Sequence, residues 1–521
     1  MFQDELRKRN LEWVLDINSF YRVLPKGSYR FLQVIKDVVD RNERIYIDGD
    51  CDIDGYMSAL CFKLMFDTIG YSNYEVTRHS YKRHQLSKGF VTNNVINRGF
   101  RFMIIVDSSS NSKELIQYLN DKGVFVVVID HHTVKYRRSE FNSDMTIMIN
   151  PHWDEQEEPD QLIFTKFMSA GALSSLIVDA SVKILWPQHY SYLYNWHLVY
   201  GYITLYSDCC KFNSYNVAYA KYVTALGGKM PPIVQFFMTE WDILSKNFVS
   251  FKFAPRVNAL IRTECWDIVW ELFYNFPSFI KKYTLESIDT VYLGAKNFLR
   301  QLISSAKNYD LNNLRVVILP ALPKARNFTG LVSNEISGQC QKPVLTLVLT
   351  AENYYEGSIR DLYNRDVLSV FQQVCCAQGH KSAFGVKFPN TEFQNIVYYC
   401  NDMMESFQYS QEPIILNWEL EFKSPKALEH DFMLMSTYNE YAGGEFPLAY
   451  GLKTLTDPMV ITNYEKRSVV TWGNYQLVSF STLVPDVTAL IEPTKTTKGS
   501  ELIIQSTTTL GEEYMKAILT F

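Results

Sequence analysis

No stretch of this chain approaches the roughly 18 uninterrupted apolar residues that a membrane-crossing helix needs, so no membrane span is expected. Positive charge is not in surplus either. With 51 Lys and Arg against 56 Asp and Glu, the net charge of −5 excludes binding to polyanions through overall charge. A local basic groove remains open, because contacts to a phosphate backbone depend on local rather than total charge. The nine cysteines are odd in number and form no CxxC pair, which argues against a thiolate zinc site or a disulfide framework. Two adjacent pairs, Cys209–Cys210 and Cys375–Cys376, fall in stretches patterned as helix. They are read as small buried residues in a reducing cytosol. The opening MFQDELRKRN has no apolar core of a signal peptide, so a cytoplasmic location is expected. Linkers rich in Pro, Gly or Ser, repeats and low-complexity segments are also missing. Aromatic residues, by contrast, are plentiful at 15%, enough for a large core with some rings left over for stacking.

A length of 521 residues suggests about three to four domains. Residues 1–43 are patterned as helix. From 44 to 150, β-rich runs at 44–48, 73–77, 102–107, 124–130 and 145–149 alternate with helical stretches near 56–69, 91–98 and 112–121. Such alternation predicts βαβ units and a parallel sheet. Helix dominates 168–225. The segment FVSFKFAPRVNALIRTECWDIVWELF then reads as an extended entry, a break at Pro255 and an amphipathic helix, and 287–310 as one long connecting helix. A second α/β pattern has strands at 313–322, 343–350, 354–361 and 384–389, with a helix near 365–376. After about 411, WELEFKS, PMVITNYEKRSVVTWGNYQLVSFS and ELIIQSTTT alternate polar and apolar residues, as in a small β barrel or sandwich. The divisions expected are 1–225, 226–312, 313–410 and 411–521.

Four of the early strands end in chemistry: IYIDGDCDIDG (45–55), FMIIVDSSS (102–110), VVVIDHH (126–132) and TIMINPH (146–152). Ligands of an open parallel sheet bind beyond the carboxyl ends of its strands. Alternate residues of an extended chain point the same way, so Asp48, Asp50, Asp52 and Asp54 are expected to line one side. Asp107 at the next strand end is placed to bridge two cations. His131 and His132 add imidazole, and Asp130 is a partner to orient one ring. Carboxylates with imidazoles suit a pair of hard or borderline cations, Mn²⁺ or Mg²⁺, and such a pair supports hydrolysis of a phosphodiester. A DxDxDG stretch by itself is also the pattern of a calcium loop, but the Glu that closes such a loop is absent and the flanks read strand then helix.

The set of motifs resembles the DHH phosphoesterase superfamily: DxDxDG at Asp50–Gly55, a lone Asp107 after an apolar strand, Asp130–His132, and the helical Asp208. That resemblance implies Mn²⁺ or Mg²⁺ ligands at Asp52, Asp54, Asp107, His131 and Asp208, with Asp107 bridging and His132 contacting the scissile phosphate. Asp48 stands where the superfamily commonly has His. Within the superfamily the chain is most similar to the RecJ-like single-strand exonucleases. INPH (149–152) and FAPRVNALIR (253–262) resemble segments of that branch, with Ile261 at a position usually Gly. The implied nucleic-acid path runs along Arg256, Asn258 and Arg262. AQGHKSAFG (377–385) and GSIRD (357–361) resemble the DHHA1 domain, with Gln378 replacing a Gly, and add Ser358, Arg360 and His380 as phosphate donors. The tail resembles an OB-type module, with Tyr464, Lys466, Arg467, Trp472 and Tyr475 as candidate strand contacts. Of the basic clusters TRHSYKRHQLSK (77–88) and KYRR (135–138), the first contributes Arg83 and Lys88 as substrate candidates.

The expected activity is therefore a two-metal exonuclease on single-stranded DNA. Its 5′→3′ polarity, release of mononucleotides, and partners such as a single-strand-binding protein or repair and recombination factors are implied by the resemblance. A phosphodiesterase for short oligoribonucleotides or cyclic dinucleotides is the alternative. A non-catalytic single-strand-binding scaffold is a third reading.

Overall fold

Fully apolar runs become the inner strands of a parallel sheet in the computed structural model. It describes residues 2–17, 19–80, 86–141, 143–158, 163–240, 242–338, 340, 342–361, 365–405 and 407, then 414–415, 425–441 and the strands between 449 and 509. Strands β1 (Ile45–Gly49), β2 (Tyr74–Val76), β3 (Phe102–Val106), β4 (Phe125–Ile129) and β5 (Thr146–Ile149) pair in parallel in the order β2-β1-β3-β4-β5. Both faces are covered, which is why these strands read as continuous Val and Ile rather than alternating with polar residues. Ile45, Ile47, Ile104, Val106, Val127 and Ile129 share one core with the helices α1 (Ile53–Thr68), α3 (Ala170–Leu185) and α4 (Trp196–Ser207). Their strand neighbours Tyr46, Met103, Ile105, Val126 and Val128 point the opposite way, onto Leu115, Ile116 and Leu119 of α2 (Lys113–Asp121).

The register aligns the strand ends. Gly49 pairs with Val106, Val106 with Ile129, and Ile129 with Ile149. Asp50, Asp107, Asp130 and Asn150, each the next residue, thus form one row along the carboxyl edge. The chain leaves β1 in one direction to β2 and returns on the other side as β3. The site therefore lies at the point where strand order reverses, the usual crevice of an open α/β sheet.

Several local expectations change. FVSFKF is a π-helical turn (Phe248–Phe253), not an extended stretch, and runs directly into α5 (Ala254–Arg262). Pro255 is tolerated because it sits in the first turn, where its missing N–H has no helical partner to lose. The long connector α6 (Leu285–Ser304) starts in a Thr284–Ser287 capping box and stops before 310, since Lys307–Asp310 peels off as edge strand β6. The stretch expected as helix to 376 is helical only over Val367–Phe371, and Cys376 already belongs to a strand. The helix expected near 91–98 is a short α turn, Lys88–Val91, continued by a π turn, Thr92–Ile96. Cys209 and Cys376 are exposed rather than buried.

The second sheet is mixed. β7 (Arg315–Leu319), β8 (Val344–Leu349), β9 (Tyr354–Arg360), β10 (Cys376–His380) and β11 (Ala383–Pro389) join β6 in the order β10-β11-β9-β8-β7-β6, with helix α7 (Thr329–Ser337) packed on it. A seven-stranded third sheet follows, β12 (Ile414–Ile415), β13 (Ala449–Thr454), β14 (Val460–Asn463), β15 (Ser468–Trp472), β16 (Tyr475–Ser479), β17 (Val487–Thr496) and β18 (Gly499–Thr509). Tyr464, Lys466 and Arg467 lie outside the described residues, as do WELEFKS and the side chains of Trp472 and Tyr475. Helix α8 (Pro425–Tyr441) returns to the first unit. There the buried Glu440 carboxylate accepts from Tyr202 Oη (3.0 Å) and Lys246 N (2.7 Å), and its carbonyl accepts from Tyr206 Oη (2.9 Å). No helix among the described residues is long and apolar enough to cross a membrane.

Candidate metal centre and its cleft

Extended alternation carries the acidic motif only as far as Asp50. Asp52 reaches the site as the N-cap of α1, its carboxylate accepting from Gly55 N at 3.0 Å, and Asp54 arrives from the first helical turn. Gly55 is required because a Cβ there would meet Asp50 N and O at 2.4 Å. Asp54 is held from the far side by the start of α3: its two oxygens accept from Ala170 N (2.9 Å) and Gly171 N (2.7 Å). A helix N-terminus favours a carboxylate, and Gly171 keeps the approach open. Asp107 leaves β3 with φ of 59°, a conformation that turns its carboxylate inward at some backbone cost. Asp208 caps the carboxyl end of α4.

These groups converge on His131. Its Nε2 lies 3.5 Å from Asp54 Oδ2, 3.4 Å from Asp107 Oδ1 and 3.4 Å from Asp208 Oδ2. Asp50, Asp52 and Asp107 form a second acidic cluster that shares Asp107 with the first. Among the described residues, His131 Nε2 and Asp107 Oδ1 are buried with no hydrogen-bond partner. Burial, followed by the charge of neighbouring aspartates, pushes Asp54 up to about 7 and raises Asp107 and Asp208 well above the carboxylate range. Burial and then the charge of His132 hold His131 well below its ordinary value, so it is neutral with a lone pair to offer. Crowded carboxylates and an orphaned neutral imidazole are a donor set that two divalent cations would satisfy.

Asp48 lies apart from that set. It sits on β1 opposite Ile105, fully buried, and accepts from Thr77 Oγ1 at 2.6 Å. Asp130 orients the neighbouring ring: its Oδ1 accepts from His132 Nδ1 (2.7 Å) and from the backbone N of His131 (2.8 Å), while Oδ2 accepts from Ser110 N (3.1 Å). Burial lowers His132, but the Asp130 pair outweighs it and raises the ring to about 10. Asn150 secures the loop from beneath, donating to Ser110 Oγ and to the His132 carbonyl, both at 2.9 Å.

A cleft of about 890 Å³ separates this edge from the second sheet. Its far wall carries Ser358, Arg360 and His380, and its side carries Asn258 and Arg262. Because APRVNALIR is helical, Asn258 and Arg262, one turn apart, face the cleft together. Arg256 points elsewhere, into an ion pair with Asp289 (2.6 Å) on α6. His380 stacks on His132 with centroids 5.6 Å apart, and burial, then the charge of His132, lowers it to about 4. Burial and then Arg360 lower Arg262 to about 10. Lys88 is spent on the Tyr118 ring, 5.5 Å away, and Arg83 lies outside the described residues. In KYRR, Lys135 lines the cleft while Arg138 pairs with Asp154 and Glu157.

Sequence reasoning missed the Ala170–Gly171 cradle, Arg326 on the cleft wall and Cys210 beside Asp208. The run SAGA ahead of an apolar helix was the available signal for the cradle.

Comparison with known proteins is consistent with this geometry. Residues 44–181 match the family model "DHH family, N-terminal domain". A curated relative, the single-stranded-DNA-specific exonuclease RecJ of Haemophilus influenzae, is 28% identical over 126 residues. That match takes in 24% of this chain and only 21% of the relative's length. The crystal structure of RecJ with Mn²⁺ from Thermus thermophilus superposes with a TM-score of 0.69 at 14% identity, over 97% of this chain and 75% of that one. The Mg²⁺ complex of RecJ from that organism gives 0.64 at 13% identity, over 97% and 74%.

Proposed function

Since this chain is a divergent DHH-family protein with a RecJ-like fold, we propose that it is a two-metal exonuclease. Its substrate is single-stranded DNA, degraded 5′→3′ to mononucleotides. The observation that carries the reading is the convergence of Asp54, Asp107 and Asp208 on His131 Nε2 at 3.4–3.5 Å, beneath a cleft lined by arginines.

Asp54, Asp107, Asp208 and His131 would hold one cation, and Asp50, Asp52 and the shared Asp107 the other. Mn²⁺ or Mg²⁺ bound there supplies an activated water and neutralises charge on the phosphoryl oxygens. The remaining work falls to the chain. Asp130 fixes the His132 ring through Nδ1, which leaves Nε2 directed to the scissile phosphate. Arg262 and Arg360 face the same cleft and stabilise charge that builds on the phosphoryl group in line with the departing oxygen. Asn258, Ser358 and His380 position the strand, and contacts of this type go to phosphate, so they are indifferent to base sequence. Support for single strands comes from the relative's activity and from a cleft walled by two sheets.

The test is a gel assay with Mn²⁺ on single-stranded DNA labelled at either end, with two-to-five-nucleotide RNA alongside and Asp107→Ala as the contaminant control. Stepwise loss from the 5′ end is expected. Activity confined to the short RNA would replace this reading with a small-substrate phosphodiesterase, and tight strand binding without hydrolysis would replace it with a scaffold.

A further inference from the structure

The turn that follows α4 delivers a thiol to the metal centre. Asp208 caps the helix, Cys209 adopts a left-handed φ of 50°, and Cys210 N folds back to donate to Leu205 O at 3.0 Å. This reversal is a helix C-terminal motif usually made by Gly. Its effect is to set Cys210, only 7% exposed, beside the residue it has just passed. Cys210 Sγ lies 3.8 Å from Asp208 Oδ2, and Sγ, an Asp208 oxygen and a ring nitrogen of His131 all fall within 4.8 Å of one another. The second observation is His131 itself, 7% exposed, whose Nε2 points into the same space with no partner among the described residues.

The spacing fits a small four-coordinate cation. With bonds of about 2.0–2.1 Å to nitrogen or oxygen and about 2.3 Å to one sulfur, tetrahedral ligand atoms stand roughly 3.3–3.6 Å apart, within a few tenths of an ångström of what is found here. The observed separations are 3.4 Å for His131 Nε2 to Asp208 Oδ2 and 3.8 Å for Cys210 Sγ to Asp208 Oδ2. Asp54 and Asp107, at 3.5 and 3.4 Å from the same nitrogen, offer the fourth ligand.

We propose that Cys210 Sγ is a ligand of the cation held by His131 and Asp208, which gives this position a preference for thiophilic metals, Zn²⁺ or Co²⁺, over Mn²⁺ and Mg²⁺. The inference rests on the metal-centre reading above and specifies which metal that centre selects. Coordination forms one Sγ–metal bond and releases the thiol proton to solvent; no electron changes hands. Thiolate is a soft ligand, and adding it to an imidazole and carboxylate set raises affinity for zinc and cobalt far more than for the hard cations. The centre is then mixed: one thiophilic position, and one all-carboxylate position at Asp50, Asp52 and Asp107 suited to Mn²⁺ or Mg²⁺.

The experiment titrates metal-stripped full-length protein with Co²⁺ and records the near-ultraviolet thiolate-to-cobalt charge-transfer band. It then measures Zn²⁺ and Mn²⁺ affinities by competition with a chromogenic chelator. The band is expected in the wild type and in Cys209→Ser, and absent in Cys210→Ser. Zn²⁺ affinity should fall on the order of tenfold or more in Cys210→Ser while Mn²⁺ affinity changes less than about twofold. X-ray absorption on the wild-type cobalt form requires no variant to fold, and one sulfur at about 2.3 Å is expected. A cobalt shell without sulfur, or a band that survives Cys210→Ser, overturns the proposal. If that happens while Mn²⁺-dependent hydrolysis remains intact and sensitive to Asp107→Ala, only the thiol ligand is lost. Hydrolysis unaffected by Asp107→Ala would bring down the metal-centre reading as well.

Discussion

Asp107 is the residue on which the two acidic clusters turn, because its carboxylate belongs to both. Asp107→Ala is expected to cut hydrolysis by at least on the order of a thousandfold, since the charge neutralisation at stake is several kcal/mol. Its fold should persist, and circular dichroism and the melting temperature check that. Relief of repulsion among Asp54, Asp52 and Asp208 should even favour the metal-free form. Retained activity would sink the shared-metal assignment. The positions of Asp107 and His131 were legible in the sequence because each closes a run of apolar β residues, a pattern with few other causes. Cys210 was not legible. A cysteine two residues after an aspartate becomes a neighbour only when the intervening residue turns left-handed, and Cys209 carries no sequence mark of that. Asp48 was misleading for the opposite reason. It has the right residue type and alternation, but it sits within the strand rather than beyond it, and its Oδ1 accepts from Thr77 Oγ1.

Elements rather than single residues hold the carboxylates in place, and α3 and α4 do most of this by packing behind the sheet. Between them lies a buried polar cluster away from the cleft. Asp179 on α3 accepts from His197 Nε2 of α4 (3.1 Å) and from Tyr190 Oη (2.7 Å), and pairs with Arg22 Nε (2.5 Å). Burial pushes the Asp179 carboxyl up, but the His197, Arg22 and Tyr190 partners outweigh it and hold the group below its ordinary range. A carboxyl with a depressed folded-state pKa contributes stability that is fully present above about pH 4, its unfolded value. That stability is lost as pH falls through the lower folded value. Unfolding free energies of wild type and Asp179→Asn, from urea titrations followed from neutral to acid pH, should therefore differ by about 2–3 kcal/mol near pH 7. The gap should narrow only in strong acid, and a constant gap would contradict the linkage. At this scale the strands were the most readable elements and the helix ends the least. Long apolar runs have one interpretation, whereas the stop of α6 at Ser304 depends on Lys307–Asp310 finding an edge partner in β7.

Across the whole molecule, the cleft exists because two sheets and α5 each supply a wall. Asp130 and His132 come from the edge of the first sheet, Arg360 and His380 from the second, and Asn258 and Arg262 from α5. Arg262→Ala should lower kcat/KM on long single strands by about tenfold to a hundredfold, the value of a charge-assisted hydrogen bond of about 1.5–3 kcal/mol. Mn²⁺ affinity, measured in the same preparation, should stay within about twofold, because Arg262 lines the cleft and belongs to neither acidic cluster. An unchanged rate would remove α5 from the substrate path. The motif in α5 was visible in the sequence, but only its helical form explains why Asn258 and Arg262 turn to the cleft while Arg256 turns to Asp289.

The contact made by Glu440 bears on how this polypeptide can be cut. Its carboxylate is the acceptor for Tyr202 on α4 and for the backbone of Lys246, both far from it along the chain. Tyr202 lies on the same helix whose end presents Asp208. A fragment that stops before 425 would thus not be a smaller copy of the same fold trimmed of an accessory part. It would be a chain with an open wound along α4, its tyrosine hydroxyls and an amide exposed where a side chain had sealed them. Minimal versions of this protein should be sought by shortening the strands after 449, with α8 left in place.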